Sequence, residues 1–149
     1  MRVVVQRVAH ADVEVGGRTV GRIGPGLLLL VGFEKGDGEA EVAFMADKIL
    51  HLRVFADGEG KMNLDLREAG GEILSISQFT LAARNRKGRR PDFTNAEEPG
   101  RAETLYARFN SLLAAGAPVV AGVFGAMMEV RSVNSGPVTI ILEKSAAGL

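Results

Sequence analysis

Hydrophobic positions fall at first into short, strand-length clusters. Val3 to Val8 is rich in β-branched residues, and Ala11 to Val15 alternates apolar with polar side chains before Gly16-Gly17, a dipeptide suited to a tight turn. Arg18 to Ile23 reads as the returning strand. Gly24-Pro25-Gly26 breaks it, and Leu27 to Phe33 is a continuous apolar run of the kind buried on both faces of a sheet. The period then changes. Asp37 suits a helix N-cap, and Val42, Met45, Ala46, Ile49 and Leu50 recur on one helical face. Arg53 to Ala56 predicts a short strand, with turns at Asp57-Gly58-Glu59-Gly60 and Gly70-Gly71. Glu72 to Phe79 predicts a strand with Ile73, Ser75, Ser77 and Phe79 on one face and Leu74, Ile76 and Gln78 on the other. Arg84 to Asn95 is polar and reads as loop. Pro99 opens a second helix with Leu105, Phe109, Leu112 and Leu113 as its apolar stripe. Val119 to Val123, Met127 to Val133 and Val138 to Glu143 close the chain as three strands. Two helices among about eight strands predict an α+β (mixed α/β) single domain over 1–149, with a largely antiparallel or mixed sheet.

The length of 149 residues suits one domain, and 46% hydrophobic content is ordinary for a packed core. No apolar run approaches the roughly 18 residues of a membrane span. The segment Met1 to Arg7 carries charge inside its apolar run and lacks a secretory pattern, so a cytoplasmic location without membrane contact is expected. Cysteine is absent, which excludes a thiolate nucleophile, a disulfide framework and a cysteine zinc site. The two histidines, His10 and His51, read as surface or helix-end residues, and no nucleophile-elbow pattern is present. Gly60-Lys61-Met62 fails as a phosphate loop, since Phe55 stands at the first glycine and Met62 at the Ser/Thr position. Gly21, Gly24 and Gly26 do not space as a dinucleotide fingerprint. No metal or organic cofactor is indicated.

Three polar features remain. Ser77-Gln78-Phe79-Thr80 ends a strand, where successive N–H groups and hydroxyls can face a cleft and stabilise an oxyanion; the plainer reading is that Thr80 bonds a neighbouring main-chain group. Asn134-Ser135-Gly136-Pro137 lies between two predicted strands, where turn chemistry alone accounts for it, while a ligand-facing role would present main-chain atoms. Arg84-Asn85-Arg86-Lys87-Gly88-Arg89-Arg90 holds five basic residues and no acidic one. It leaves the rest of the chain with 13 basic against 18 acidic residues, a net of −5. The plainer reading is a solvated loop. The sharper one is phosphate contact through Arg86, Lys87, Arg89 and Arg90. Zero net charge argues against non-specific coating of nucleic acid.

Val5-Gln6-Arg7-Val8, Gly60-Lys61-Met62-Asn63, Ser77-Gln78-Phe79-Thr80-Leu81, Gly88-Arg89-Arg90-Pro91 and Asn134-Ser135-Gly136-Pro137-Val138-Thr139 occur in one order along the chain. In that order and over its whole length the chain resembles the bacterial-type D-aminoacyl-tRNA deacylases. Two departures stand out: Ser135 where the family often has an acid, and Arg84-Asn85 where an Asp-Thr pair is expected.

The resemblance implies hydrolysis of the ester of D-aminoacyl-tRNA, a proofreading step in translation quality control. It implies a homodimer in which Gly136-Pro137, joined by a cis bond, enters the partner's active site, with Arg7 holding that turn. Ser77, Gln78, Phe79 and Thr80 would line the pocket, and Phe124 and Met128 would hold the terminal adenine. The partners expected are a second copy and aminoacyl-tRNA, not DNA. Because an aminoacyl ester is already activated, main-chain donors at Phe79 and Thr80 with help from the ribose 2′-OH are preferred over Thr80 as nucleophile, which lacks an adjacent base in sequence. A filter made of main-chain atoms would also pass glycine, so glycyl-tRNA formed on tRNA-Ala is an expected substrate. Two readings compete: an editor of small L-aminoacyl-tRNA with a trans Gly136–Pro137 bond, and a non-catalytic tRNA-binding dimer.

Overall fold

The two N-terminal apolar runs form one strand. In this computed structural model, which describes residues 1–146, β1 runs unbroken over Arg2–Val15. Gly16 and Gly17 follow at φ +57° and +79°, the left-handed geometry of a two-residue hairpin turn that glycine adopts without penalty. β2 (Arg18–Ile23) and β3 (Gly26–Gly32) then both pair antiparallel with the same edge of β1, β3 along Arg2–Val8 and β2 along Ala11–Val15. α1 (Glu39–Leu50) and the small hairpin β4 (Phe55–Ala56) with β5 (Met62–Leu64) come next. After them are β6 (Glu72–Ser77), a 3₁₀ turn (Phe79–Ala82), α2 (Pro99–Ala114), β7 (Val119–Ala121) and β8 (Glu129–Glu143). β6 is parallel to β3, and β7 is parallel to β6. The sheet is therefore mixed, in the order β2-β1-β3-β6-β7, with β8 on the other edge of β1.

One face of this sheet carries α1 and α2. Phe109 and Leu113 of α2, Met45 and Ile49 of α1, and Val3, Leu27, Leu29 and Ile73 of the strands are all fully buried there. Burying each such large side chain contributes about 1.5–3 kcal/mol, so this face dominates stability. The second face has a smaller core of Val8, Ala11, Val13, Ile23, Leu28, Leu74 and Ile76. β2 closes over it. A Cβ on Gly21 would lie 2.6 Å from Val120 Cγ1, so the close approach of β2 to β7 needs a glycine. β3 is buried on both sides, as its unbroken apolar run predicts.

Several expected boundaries move. The helix cap is Gly38, not Asp37: the Glu41 carboxylate accepts the Gly38 N–H at 2.9 Å. Asp37 points inward, where it pairs with the Met1 amino group at 2.6 Å and accepts the Glu34 N–H at 2.7 Å. The strand expected at Arg53–Ala56 shrinks to Phe55–Ala56, the part that β5 can pair. The strand expected at Glu72–Phe79 stops at Ser77, and Ile73 to Ile76 are buried without alternation because both faces of β6 are covered, Ile73 by the helix-side core and Leu74 and Ile76 by the second core.

The largest correction concerns Met127–Val133 and Val138–Glu143. They are not two arms of a hairpin but a single strand, β8, both halves of which pair with β1. The long uninterrupted edge of β1 accommodates both. Asn134 pairs with Val8 and Thr139 with Gln6, so residues 135–138 bulge outward opposite the single residue Arg7. Among the described residues no helix is long and apolar enough to cross a membrane.

Candidate active site

β6 ends where the sheet stops protecting it. Ser77 is its last paired residue, opposite Val31, and the Gln78 N–H donates to the Val31 carbonyl at 2.7 Å. The chain then tightens into the 3₁₀ turn. Its first internal bond is Leu81 N–H to the Gln78 carbonyl at 3.2 Å. The N–H groups of Phe79 and Thr80 precede that bond, and the opening N–H groups of a helical turn have no partner within it. The Gln78 side-chain amide donates to Thr80 Oγ1 at 2.6 Å, and Arg2 holds the Leu81 carbonyl at 2.7 Å. The Thr80 side chain is exposed.

A cleft of about 820 Å³ opens beside this strand end. Ser77, Gln78 and Phe79 line it together with Phe124 and Met128, so five predicted site residues meet there; Thr80 sits one step beyond the lining. Phe124 packs against Tyr106, whose hydroxyl donates to the buried Ser75 carbonyl at 2.6 Å and ties α2 to β6. Met128 rests on the second core. The walls also include Lys35, Phe93 and Met127, which the sequence reading missed. These three come from turns and loop ends, where no periodic pattern marks a residue. Met127 is 88% exposed, an unusual state for a large apolar side chain. The Phe93 ring meets the Phe79 ring edge-on at 5.2 Å.

The basic segment stands next to this wall. Arg84 and Asp92 exchange N–H to carbonyl bonds at 2.8 and 3.1 Å and close residues 84–92 into a loop. Arg86, Lys87, Arg89 and Arg90 are exposed on it, and none of them makes an ion pair among the described residues. At the foot of the loop the Asp92 carboxyl is held below the usual carboxylate range, first by the Thr94 N–H and hydroxyl and then by the charges of Arg84 and Lys35.

Arg7, Gly136 and Pro137 are placed elsewhere. The Gly136–Pro137 bond is cis, the isomer the resemblance implies and not the trans isomer of the small-L-amino-acid reading. Both residues are exposed, and neither lines the cleft of its own chain. Arg7 fixes the bulge from below: Nε donates to the Ser135 carbonyl at 3.0 Å, and a terminal nitrogen donates to the Val54 carbonyl at 2.6 Å. Asn134 completes it by accepting the Val138 N–H at 3.1 Å. Ser135 thus contributes its main chain to the anchoring, so the missing acid at this position does not undo the turn.

Neither histidine lines the cleft. His51 caps the end of α1, its Nδ1 2.9 Å from the Asp47 carbonyl, and His10 is exposed on β1. Among the described residues no group of three or more histidine, aspartate or glutamate side chains is arranged to hold a metal ion.

Residues 4–143 match the family model described as D-Tyr-tRNA(Tyr) deacylase. A D-aminoacyl-tRNA deacylase of Brevibacillus brevis is 56% identical over 144 residues, covering 96% of this chain and 99% of that protein. One of Bacillus velezensis is 54% identical over 144 residues, covering 96% and 98%. Among solved structures, one titled c-Myc DNA Unwinding Element Binding Protein superposes with a TM-score of 0.93 at 42% identity, over 97% of this chain and 99% of that one. A probable eukaryotic D-amino acid tRNA deacylase superposes with a TM-score of 0.80 at 21% identity, over 95% and 97%, and shares the fold.

Proposed function

The chain belongs to the D-Tyr-tRNA(Tyr) deacylase family, and from that premise we propose that the cleft beside β6 hydrolyses the ester of D-aminoacyl-tRNA with main-chain donors. The observation that carries this reading is the strand end. Phe79 and Thr80 present N–H groups ahead of the first bond of the turn, at the rim of an apolar cleft large enough for a nucleoside. The terminal adenine rests against Phe124 and Met128, and the ester carbonyl lies over the two N–H groups. Water attacks the carbonyl carbon, assisted by the ribose 2′-OH, and the resulting oxyanion is held by the donors. The bond to the ribose oxygen then breaks, the oxygen takes up the proton, and free tRNA and the D-amino acid leave. A single oxyanion donor is typically worth about 10²–10³-fold in rate, enough for an ester already activated.

Enantiomer choice rests on Gly136-Pro137. Exposed, and absent from the cleft of its own chain, this bulge reaches a substrate by entering the cleft of a second copy. β8 supports the pairing, since it is a 15-residue edge strand that among the described strands pairs only with β1, with Val130, Val133 and Ile141 between 37% and 62% exposed. Such an open apolar edge invites another chain. Main-chain atoms at the α-carbon exclude an L side chain by contact, whereas glycine has nothing to exclude. Arg86, Lys87, Arg89 and Arg90 meet tRNA phosphates outside the cleft.

The test is release of amino acid from matched D-tyrosyl-, L-tyrosyl- and glycyl-tRNA. D-tyrosyl and glycyl esters are lost and the L-ester is kept. Loss of the L-ester at a similar rate would refute the main-chain filter, and binding of tRNA without loss of any ester would move the protein to the non-catalytic class.

A further inference from the structure

Among the described residues Lys35 is the only basic side chain lining the cleft, and neither the fold nor the chemistry at β6 uses it. Its main chain is well fixed. The Lys35 N–H donates to the Asn95 carbonyl at 3.0 Å, the adjoining Glu34 and Ala96 form a bridge, and Gly36 turns the chain at φ +95°. The side chain is exposed, and among the described residues its ammonium makes no ion pair. Glu97, one of the two acidic residues in the cleft wall, is engaged instead by Arg101 at 3.2 Å. The positive charges of Lys35 and of Arg84, where the basic loop begins, both lower the pKa of Asp92. Lys35 and Arg84 thus flank Asp92 at the foot of the basic loop, so the cleft wall and the loop meet there.

This arrangement has a counterpart in the substrate. A terminal nucleoside seated against Phe124 and Met128 is joined to the preceding nucleotide by one phosphodiester, which has to leave the apolar cleft at its rim. We propose that Lys35 binds this last phosphodiester and so positions the single-stranded end, as a substrate-positioning residue separate from the groups that meet the ester. The proposal rests on the deacylase reading above. It predicts that Lys35 acts on the nucleic acid and not on the amino acid, which separates it from every residue at the end of β6.

The test compares wild type, Lys35→Gln and Lys35→Arg on two substrates. One is D-tyrosyl-tRNA, and the other is the 3′-D-tyrosyl ester of adenosine, which has no phosphate. Lys35→Gln raises KM for the tRNA about tenfold, as loss of one charge-assisted contact does, with kcat within about twofold. The same variant matches wild type on the adenosine ester, and Lys35→Arg restores the tRNA KM. The slope of log kcat/KM against log salt on the tRNA becomes shallower by about 0.7, the increment for one single-strand phosphate. Equal loss on both substrates would overturn the proposal by showing that Lys35 shapes the cleft itself, and so would an unchanged KM on tRNA. Wild-type protein that cleaves neither ester would overturn the deacylase reading and this proposal with it.

Discussion

Gly32 lies where β3 passes beneath the turn that carries the proposed oxyanion donors. A Cβ added there would sit 2.9 Å from Leu81 Cβ and 3.0 Å from the Gln78 carbonyl oxygen. Carbon atoms prefer about 3.5–4.0 Å, so Gly32→Ala creates an overlap of about 0.6 Å or more. The obstruction cannot swing aside. Gln78 is bonded to Val31 through its N–H, and Leu81 is held by Gln78 on one side and Arg2 on the other. The turn itself has to move, by several tenths of an ångström. Overpacking of this kind costs about 1–3 kcal/mol, which for a chain of this size lowers Tm by about 2–4 °C per kcal/mol. A misplacement of 1 Å at reacting groups costs about 10²-fold, so half of that predicts a fall in kcat of about tenfold, with KM little changed. The assay is steady-state hydrolysis of D-tyrosyl-tRNA alongside thermal unfolding. Gly116→Ala serves as the comparison, because its Cβ would lie 2.8 Å from Leu50 Cδ1, the free end of a side chain away from the turn. It keeps wild-type kcat. Wild-type kcat in Gly32→Ala despite a lowered Tm would refute the claim that the main chain at the end of β6 has to be held in register, as would equal losses in both variants.

Two further outcomes follow from the supporting shell. Arg7→Ala leaves the Ser135 and Val54 carbonyls without their donor; charge-assisted bonds of this kind are each worth about 1.5–3 kcal/mol, so Tm falls and the D-to-L ratio of kcat/KM drops with it. A variant with both quantities unchanged would show that Arg7 does not hold the bulge. The folded-state pKa of Asp92 is depressed, chiefly by Thr94. Its stabilising effect is therefore complete above the unfolded aspartate pKa, about 3.9, and is lost as pH falls through the lower folded value. Wild type is accordingly more stable than Asp92→Asn at pH 6, and the two converge as pH drops below that of an unfolded aspartate. A difference that persisted at low pH would break the assignment.

Legibility in the sequence depends on what sets each element. Local chemistry placed β3, the Gly16-Gly17 turn and both helices, because an unbroken apolar run, a glycine pair and a helical stripe act on their own neighbourhood. β8 was not visible. Asn134-Ser135-Gly136-Pro137 has the composition of a hairpin turn, and only the shared edge of β1 makes it a bulge between two collinear halves. Asp37 has the right side chain for a cap, but its tertiary partner, the Met1 amino group, draws it inward. The Ser77–Thr80 segment is legible as a motif through resemblance, and main-chain donors at Phe79 and Thr80 are already the preferred reading there; what the sequence does not show is the 3₁₀ turn that sets those N–H groups ahead of its first bond. Lys35 and Phe93 gave no sign at all, since a cleft wall built from loop ends has no period.

In the mechanism proposed above, the main chain at the end of β6, and not a side-chain nucleophile, carries out the chemistry. Single-turnover hydrolysis of D-tyrosyl-tRNA by Thr80→Ala and Thr80→Ser tests it most directly. Thr80 Oγ1 accepts a bond from Gln78, and no histidine lines the cleft beside it to act as its base. Both variants should therefore retain rates within about tenfold of wild type, since each keeps the N–H donors. Loss of about 10³-fold or more in Thr80→Ala, with activity preserved in Thr80→Ser, would make the hydroxyl the nucleophile and contradict the account.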